Sequence, residues 1–518
     1  MRSYYAHLET AMGQATKTAI APKPTFRSSA IFPMLQIRGI SSRIIFMGYW
    51  ILKRNIHEIA SVITLRNTEG KILSRQNLMI QEPKTYRIEL ADQLDNAGLS
   101  RDADFMGSLE VEFYSTSNLV FPYPAVVINY YGPSFSTVVH TAQRVYNDFD
   151  DMMRNSQTDV PESGFNIYAD DDREPFIGLI NGSQSVPNAS IHMEFYNSDK
   201  EVLVHRKELG TLKPYQTQML FPAREVNLQG FLKGKVGSGK VRFHVNWIFP
   251  RLMVGNIQHS LPSMAITHTY YDCTQAVSDS DYWRANEKEW HPAALMIPLS
   301  LEGSHFTNIY FYPIYSPSVF AVDVEIYDRQ GKKIGEKANA LKISSEHPGF
   351  FWINFKDLCG ELGIAPQKYL GARLIAKNLD GTRLPARIKL GLDLGLDQQK
   401  MPCNICTNLQ PFNPPIESKP KSFRWAPLLA DQPLSTIWIM NSSPAVNYDK
   451  AAEVELNFFR ESDAESITRK INIPPHGFQV INPEEDQELK ELLETQTALA
   501  NLQLEQVALN AKVAHFET

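Results

Sequence analysis

One pattern of alternating apolar and polar residues recurs four times along this chain. Each copy has an alternating strand, a polar turn, a second strand, and a linker into a third strand. The four copies occupy residues 61–90, 191–220, 322–355 and 453–482. In the third copy, Val322, Val324 and Ile326 alternate with polar residues, which places their side chains on one face of a sheet. The pattern therefore predicts four copies of one β-hairpin motif.

The spacing of the copies indicates what kind of repeat this is. The last apolar residues before the four turns are Leu65, Phe195, Ile326 and Phe458, separated by 130, 131 and 132 residues. A period of this length is the size of a whole domain, whereas solenoids repeat every 20 to 50 residues or so. We therefore predict tandem duplicated domains.

The segments around each hairpin favour an all-β fold. An apolar strand precedes each hairpin, a short stretch with helical signals follows it, and further short strands come next. This order predicts tandem β-sandwich units, Ig-like or C2-like, with one short helix each. The predicted boundaries are a polar, disordered leader at 1–33 and units at 34–155, 165–285, 292–410 and 424–518, the last one incomplete.

Two segments allow more than one interpretation. Residues 487–518 have the composition of a long helix, but alignment with the other copies predicts a short helix and then a hairpin. We favour the second interpretation, in which Leu502, Leu504, Val507 and Leu509 line strands. The apolar run at 44–52 is far shorter than the roughly 20 residues of a membrane helix, and it predicts a buried strand.

Composition excludes some classes of function. The chain has 518 residues and a net charge of −6, without a run of Lys or Arg, so it lacks the basic surface that nucleic-acid binding requires. Four cysteines do not make a disulfide framework, and residues 1–30 lack the apolar core that a secretory signal would have. These features predict a soluble, cytoplasmic protein without a membrane span. Residues 1–30 weakly resemble an organellar presequence, although we favour a disordered leader.

A recurrent histidine is the main candidate for chemistry. Residues 121–141 and 249–269 share Phe-Pro, an Asn, Pro-Ser, an apolar run and His-Thr, which puts His140 and His268 at equivalent positions. In the third unit Cys406 takes that position. One interpretation is structural, because a histidine ring can satisfy buried backbone groups.

A second interpretation is a shallow ligand site in each unit, most developed in the second. Its candidate residues are His140, Asn256, His268, Tyr270, Tyr271 and Asp272. Tyrosines beside a carboxylate suit the binding of a sugar or a peptide. A third interpretation is an enzyme with His268 as acid/base and Asp272 as its orienting carboxylate. An enzyme predicts a deep pocket at His268, recurrent binding predicts similar shallow sites, and a structural role predicts buried side chains bonded to the backbone.

Metal and cofactor binding have little support in the sequence. Cys403 and Cys406 form a single Cys-x-x-Cys without a second pair at zinc-site spacing. We predict no metal and no cofactor. The preferred function is a multivalent binding or scaffolding protein with a carbohydrate or protein partner. The alternatives are a glycan-processing enzyme with one site near His268 and a structural assembly subunit.

Overall fold

The structure is a computed structural model of the whole chain. The residues that it describes are 25–37, 39–119, 125–140, 144–145, 159–244, 248–249, 252–271, 283–285, 293–313, 319–344, 349–379, 383–385, 388–396, 400–409, 421–429, 435–461, 466–495, 498–505 and 512–513.

Unit 1 is a sandwich of two antiparallel sheets. Its strands are β1 (Phe26–Gln36), β2 (Ser41–Met47), β3 (Ile59–Asn67), β4 (Ile72–Ile80), β5 (Thr85–Glu89), β6 (Phe105–Ser115), β7 (Val126–Gly132), β8 (Phe135–His140) and β9 (Arg144–Val145). One sheet has the order β1-β6-β3-β4 and the other has the order β5-β2-β7-β8. Helix α1 (Tyr49–Arg54) follows β2, and helix α2 (Leu90–Asn96) follows β5.

Unit 2 repeats this topology. Its strands are β10 (Asp159–Ile167), β11 (Arg173–Ile180), β12 (Val186–Tyr196), β13 (Val202–Leu212), β14 (Thr217–Leu220), β15 (Gly237–His244), β16 (Ile248–Phe249), β17 (Met253–Gln258), β18 (Ser263–His268) and β19 (Tyr270–Tyr271). The sheet orders are β13-β12-β15-β10-β19 and β14-β11-β17-β18. The one helix with α geometry among its described residues is α3 (Leu228–Leu232).

Unit 3 has the same arrangement again. Its strands are β20 (Trp283–Ala285), β21 (Ala293–Leu299), β22 (Phe306–Phe311), β23 (Phe320–Tyr327), β24 (Lys333–Ile343), β25 (Phe351–Asn354), β26 (Leu370–Asn378), β27 (Arg383–Pro385), β28 (Ile388–Gly395) and β29 (Cys403–Leu409). The main sheets are β21-β26-β23-β24 and β25-β22-β28-β29, and β20 pairs with β27. Helix α4 (Phe355–Glu361) follows β25.

Unit 4 follows the same order over its described residues. Its strands are β30 (Lys421–Leu428), β31 (Ile437–Met440), β32 (Ala452–Phe459), β33 (Ser466–Ile473), β34 (Phe478–Ile481), β35 (Ala498–Glu505) and β36 (Lys512–Val513), with helix α5 (Gln487–Thr495) after β34. The sheets are β30-β35-β32-β33 and β34-β31-β36. The prediction of an all-β protein built from tandem units is therefore confirmed.

The four apolar residues that define the repeat period occupy equivalent positions in the four units. Leu65, Phe195, Ile326 and Phe458 lie on equivalent strands and are all fully buried. Each packs between the two sheets of its own unit, in a core that consists almost entirely of aliphatic and aromatic side chains. Burying such a side chain contributes about 1.5–3 kcal/mol, so this alternation is a main source of each unit's stability.

The turn after each of the first three of these strands uses the same hydrogen bonds. The Asn67 side-chain oxygen accepts from the amides of Glu69 and Lys71, at 3.1 and 2.9 Å. Asn197 and Asp328 accept the equivalent pairs of amides in units 2 and 3. A short side chain with an acceptor oxygen is what this reversal requires.

We expect Asn67→Ala to destabilise unit 1 and Asn67→Asp to be tolerated. Alanine removes two hydrogen bonds worth together about 1–2 kcal/mol, whereas aspartate keeps the acceptor, as Asp328 shows. Thermal unfolding of the two variants checks this. Equal losses for both would contradict the role of the acceptor oxygen.

Two local predictions were wrong. The predicted leader at 1–33 overlaps β1, which begins at Phe26 and pairs with β6 along its length. Ser28 and Ser29 gave this segment a polar sequence, but such small side chains fit inside the sheet, where both are buried. The run at 44–52, predicted as a strand, is a strand to Met47 and then helix α1. A short apolar run does not distinguish a buried strand from a buried helix.

The C-terminal segment follows the repeat and not its composition. A short helix, α5, is followed by β35, which contains Leu502 and Leu504 and pairs with β30 and β32. Val507 and Leu509 lie outside the described residues. Pairing with two neighbours outweighs a helix propensity difference of a few tenths of a kcal/mol per residue.

The units contact one another head to tail. At the first junction, the Thr217 amide of unit 2 donates to the Thr68 carbonyl in the β3–β4 turn, at 2.9 Å. At the third junction, the Phe478 amide of unit 4 donates to the Arg329 carbonyl in the β23–β24 turn, at 3.2 Å. At both junctions, the turn of the repeated hairpin in one unit therefore contacts the first residue of the strand that follows the hairpin in the next unit. Between units 2 and 3, Lys200 of the β12–β13 turn lies 5.4 Å from the ring centroid of Phe351, the first residue of β25, and β10 also contacts β28.

The fourth junction closes the arrangement. The Thr85 amide of unit 1 donates to the Arg460 carbonyl of unit 4 at 3.3 Å, and the Thr85 hydroxyl donates to the Phe459 carbonyl at 3.2 Å. Trp425 and Leu429 of unit 4 also pack into the core cluster of unit 1. Head-to-tail contacts of one kind generate a ring when the rotation closes, and here the ring forms within one chain.

Within the described ranges, no helix has the length and apolar character that crossing a bilayer demands.

Candidate functional site

The recurrent histidines meet at the contact between units 1 and 2. His140 ends β8 and His268 ends β18, and their ring centroids are 4.8 Å apart with the rings nearly perpendicular. Strand β18 contacts both β8 of unit 1 and β29 of unit 3, and every residue of β18 is buried. Residues that are 128 positions apart in the sequence thus form one edge-to-face pair.

His268 makes the contacts of a structural residue. Its side chain is 1% exposed, and its Nδ1 donates to the Thr269 carbonyl at 2.6 Å. The partner ring of His140 is half-buried. These are the contacts that a structural role predicts, because a ring enclosed between two units has little surface left for a ligand.

Asn256 is also fully engaged inside unit 2. It is 2% exposed, its Oδ1 accepts from the Tyr168 amide at 2.9 Å, and its Nδ2 donates to the Asn166 carbonyl at 2.8 Å. The side chain thereby ties β17 to the end of β10. Tyr270 and Tyr271 form β19, which pairs with β10.

The side chains of these two tyrosines, and all of Asp272, lie outside the described part of the chain. A ligand role for the six candidate residues therefore stays a prediction.

The structure brings together a polar cluster that the sequence analysis did not single out. Asp393 of β28 is fully buried at the contact between units 2 and 3. The Tyr168 hydroxyl of unit 2 donates to its Oδ2 at 2.5 Å, and Asn404 Nδ2 of unit 3 donates to its Oδ1 at 2.6 Å. The carboxyl group is thus held by both units.

Two further polar groups of the cluster lack good hydrogen bonds. The Asn166 amide of unit 2 lies beside the Asp393 carboxyl group. Among the described residues, neither atom of that amide makes a hydrogen bond of good geometry, and the buried Tyr312 hydroxyl has no partner. A Cβ placed on Gly391 would lie 2.4 Å from the Tyr312 hydroxyl and 2.7 Å from Asn166 Oδ1, so these groups meet over the bare backbone of β28.

The environment of Asp393 changes its acidity. Burial raises the pKa of Asp393 to about 6, and the side chains of Tyr168, Asn404 and Asn166 lower it only in part. Burial also raises the pKa of Tyr168 and Tyr312 well above the usual value near 10. The carboxyl group therefore titrates near pH 6 while these tyrosines stay neutral.

One sequence signal could have identified this cluster. In β28, Leu390 and Leu392 point into the core of unit 3, whereas Gly391, Asp393 and Gly395 share the opposite face. Glycines in a strand interior often mark a close approach by other groups. An aspartate between two such glycines indicates that another part of the protein packs on this face of β28, although the pattern does not identify that part.

The remaining site predictions concern pockets and metals. A cavity of about 310 Å³ lies between units 1 and 2, lined by residues such as Ile37, Met106 and Phe221, and neither His140 nor His268 lines it. Among the described residues, no three His, Cys, Asp or Glu side chains form a group that could hold a metal ion.

Comparisons with known proteins add little to this picture. No family model matches the chain, and no curated protein matches it. A solved structure that is similar is described as the crystal structure of a tetra-tandem repeat in the extending region of a large adhesion protein. The match has 7% sequence identity and covers 89% of this chain and 90% of that chain, with a TM-score of 0.10. The two chains do not superpose as whole molecules at that TM-score, and nothing about function follows from the match.

Proposed function

We propose that this protein is a structural scaffold, in which four β-sandwich units are locked into a closed ring that holds protein partners at fixed relative positions. The observation that carries this proposal is the return of the head-to-tail contacts from unit 4 to unit 1, through Thr85, Phe459 and Arg460. A flexible string of units would leave these backbone groups to water. Locked units present their outer surfaces in one geometry, which suits the organisation of several partners.

Other features support a scaffold over an enzyme. The most conspicuous polar residues of the sequence, His268 and Asn256, make hydrogen bonds that hold strands together. A carbohydrate partner, a glycan-processing activity and a cytoplasmic location all stay predictions, and no contact among the described residues favours any of them.

The arrangement and the function can be tested separately. A compact chain of this length has a radius of gyration of about 24 Å, and small-angle scattering should give a value near it. A string of separate units would have a much larger radius of gyration, which would contradict the ring.

For the function, the tagged full chain is expected to hold at least two other proteins at once in its native source, in fixed stoichiometry. Recovery of the chain alone after cross-linking would contradict a scaffold.

A further inference from the structure

The junction between units 2 and 3 encloses an acidic group, Asp393, that no cation among the described residues neutralises. Among the described side chains near this junction, the basic ones are Lys389, on β28 itself, and Arg173, whose guanidinium lies 4.9 Å from the ring centroid of Tyr168. Neither shifts the pKa of Asp393, which is set by burial and by hydrogen bonds from neutral groups. An ionised carboxylate in such a place is costly, because it has lost its water without gaining an opposite charge.

We propose that the cluster of Asp393, Tyr168, Asn404, Asn166 and Tyr312 is a proton-operated latch, which holds units 2 and 3 together more tightly when Asp393 carries a proton. The inference rests on the proposed ring, because the latch regulates one of its junctions.

Buried acceptor groups lie close to Asp393 and can receive a hydrogen bond from its protonated carboxyl group. The ionised carboxylate accepts from Tyr168 and Asn404. A protonated carboxyl group must also donate, and the buried Asn166 Oδ1 and Tyr312 hydroxyl are acceptors without partners. Asn166 lies beside Asp393, and its amide can turn to offer either a donor or an acceptor. The cluster therefore has hydrogen bonds for both states of the carboxyl group, and burial favours the protonated one.

The other described groups near Asp393 whose pKa is shifted do not change charge in the same range. Burial raises the pKa of Tyr310 above its usual value and that of Cys403 to about 12. Both remain neutral at physiological pH, as do Tyr168 and Tyr312. Among the groups whose pKa is shifted here, Asp393 alone titrates between pH 4 and pH 8.

The sign of the pH dependence follows from the raised pKa. When the junction opens, Asp393 is hydrated and returns to its ordinary pKa of 3.8, whereas in the closed junction it is about 6. The stabilising effect of the proton is thus complete below about pH 4 and is lost as the pH rises through 6. The equilibrium constant for opening should fall about tenfold between pH 8 and pH 5.

Hydrogen exchange of the full chain tests the latch. The protection of the amides of residues 164–169 and 389–395 is measured from pH 5 to pH 8 in the wild type and in Asp393→Asn. At each pH the protection in the wild type is divided by the protection in the variant, which cancels the pH dependence of intrinsic exchange. We expect this ratio of wild-type to variant protection to be about tenfold higher at pH 5 than at pH 8. Tyr168→Phe removes a bond that lowers the pKa of Asp393, so its midpoint should move to higher pH.

The Phe478 amide at the junction of units 3 and 4 is the internal control, and its ratio should stay constant. If the ratio does not change with pH at either junction, while both junctions remain protected, the latch is contradicted and the ring is not. Absence of protection at both junctions at every pH would instead contradict the proposed ring. If Asp393→Asn does not fold, the midpoint shift in Tyr168→Phe decides the proposal alone.

Discussion

Gly70→Ala is expected to weaken the junction between units 1 and 2 more than an equally strained glycine substitution elsewhere in unit 1. Gly70 lies in the β3–β4 turn at φ +80°, and a Cβ there would be 2.1 Å from the Pro214 carbonyl oxygen of unit 2. Gly331 makes the equivalent approach to the Pro475 carbonyl in unit 4, also at 2.1 Å. A methyl group must therefore push the next unit away.

The matched control is Gly98→Ala. Gly98 also has a positive φ, +73°, but a Cβ there would meet nothing within 4 Å. Both variants lose about 1–2 kcal/mol from backbone strain, and Gly70→Ala should lose about 1–3 kcal/mol more from the clash. Thermal unfolding measures the difference, and faster exchange of the Thr217 amide, which bonds to Thr68, locates it at the junction. Equal losses, with Thr217 protected in both variants, would show that the turn does not lock the units.

The second large effect concerns a buried charge network at the same junction. Glu110 is 2% exposed and accepts from Arg66 at 2.9 Å and from Arg27 at 3.2 Å. Arg66 in turn lies over the ring of Tyr215 in unit 2, 4.1 Å from its centroid. Burial raises the pKa of Glu110 above its usual value, although both arginines oppose this.

We expect Glu110→Ala to reduce the free energy of unfolding by about 3–5 kcal/mol, because it leaves the Arg66 charge buried without its carboxylate. The control is Glu208→Ala, which breaks an exposed ion pair with Arg206 and should cost about 0–1 kcal/mol. Replacing both charges, in Glu110→Leu with Arg66→Met, should recover most of the loss because no unpaired ion remains. Denaturant unfolding of the four proteins measures these differences. A small effect of Glu110→Ala would mean that water reaches Arg66.

These two experiments concern contacts that the sequence could not reveal, whereas much of each unit's interior was predictable. The burial of Leu65, Phe195, Ile326 and Phe458 follows from period-two alternation, since side chains on one face of a strand share one environment. The turn hydrogen bonds of Asn67 follow from its residue type. Both features depend on neighbours within a few positions along the chain.

The candidate site was less predictable. The repeat placed His140 and His268 at equivalent positions, but only the three-dimensional structure shows that their rings touch each other. The sequence interpretations treated each unit as separate, so none of them predicted that the two histidines meet. Asp393 went unnoticed because its partner Tyr168 is 225 residues away in another unit.

The sequence by itself determined the domain-sized period, the all-β class, the inward faces of the strands and the strand character of β35. These properties arise from alternation and turn chemistry, which act locally and are repeated four times. Only the tertiary structure decided that the units close into a ring, that residues 26–33 are a buried strand, and that an aspartate is enclosed between units. The ring and the enclosed aspartate depend on the orientation of whole units, and the burial of residues 26–33 depends on their pairing with β6. Each is set by contacts between residues distant in the chain and not by any local pattern.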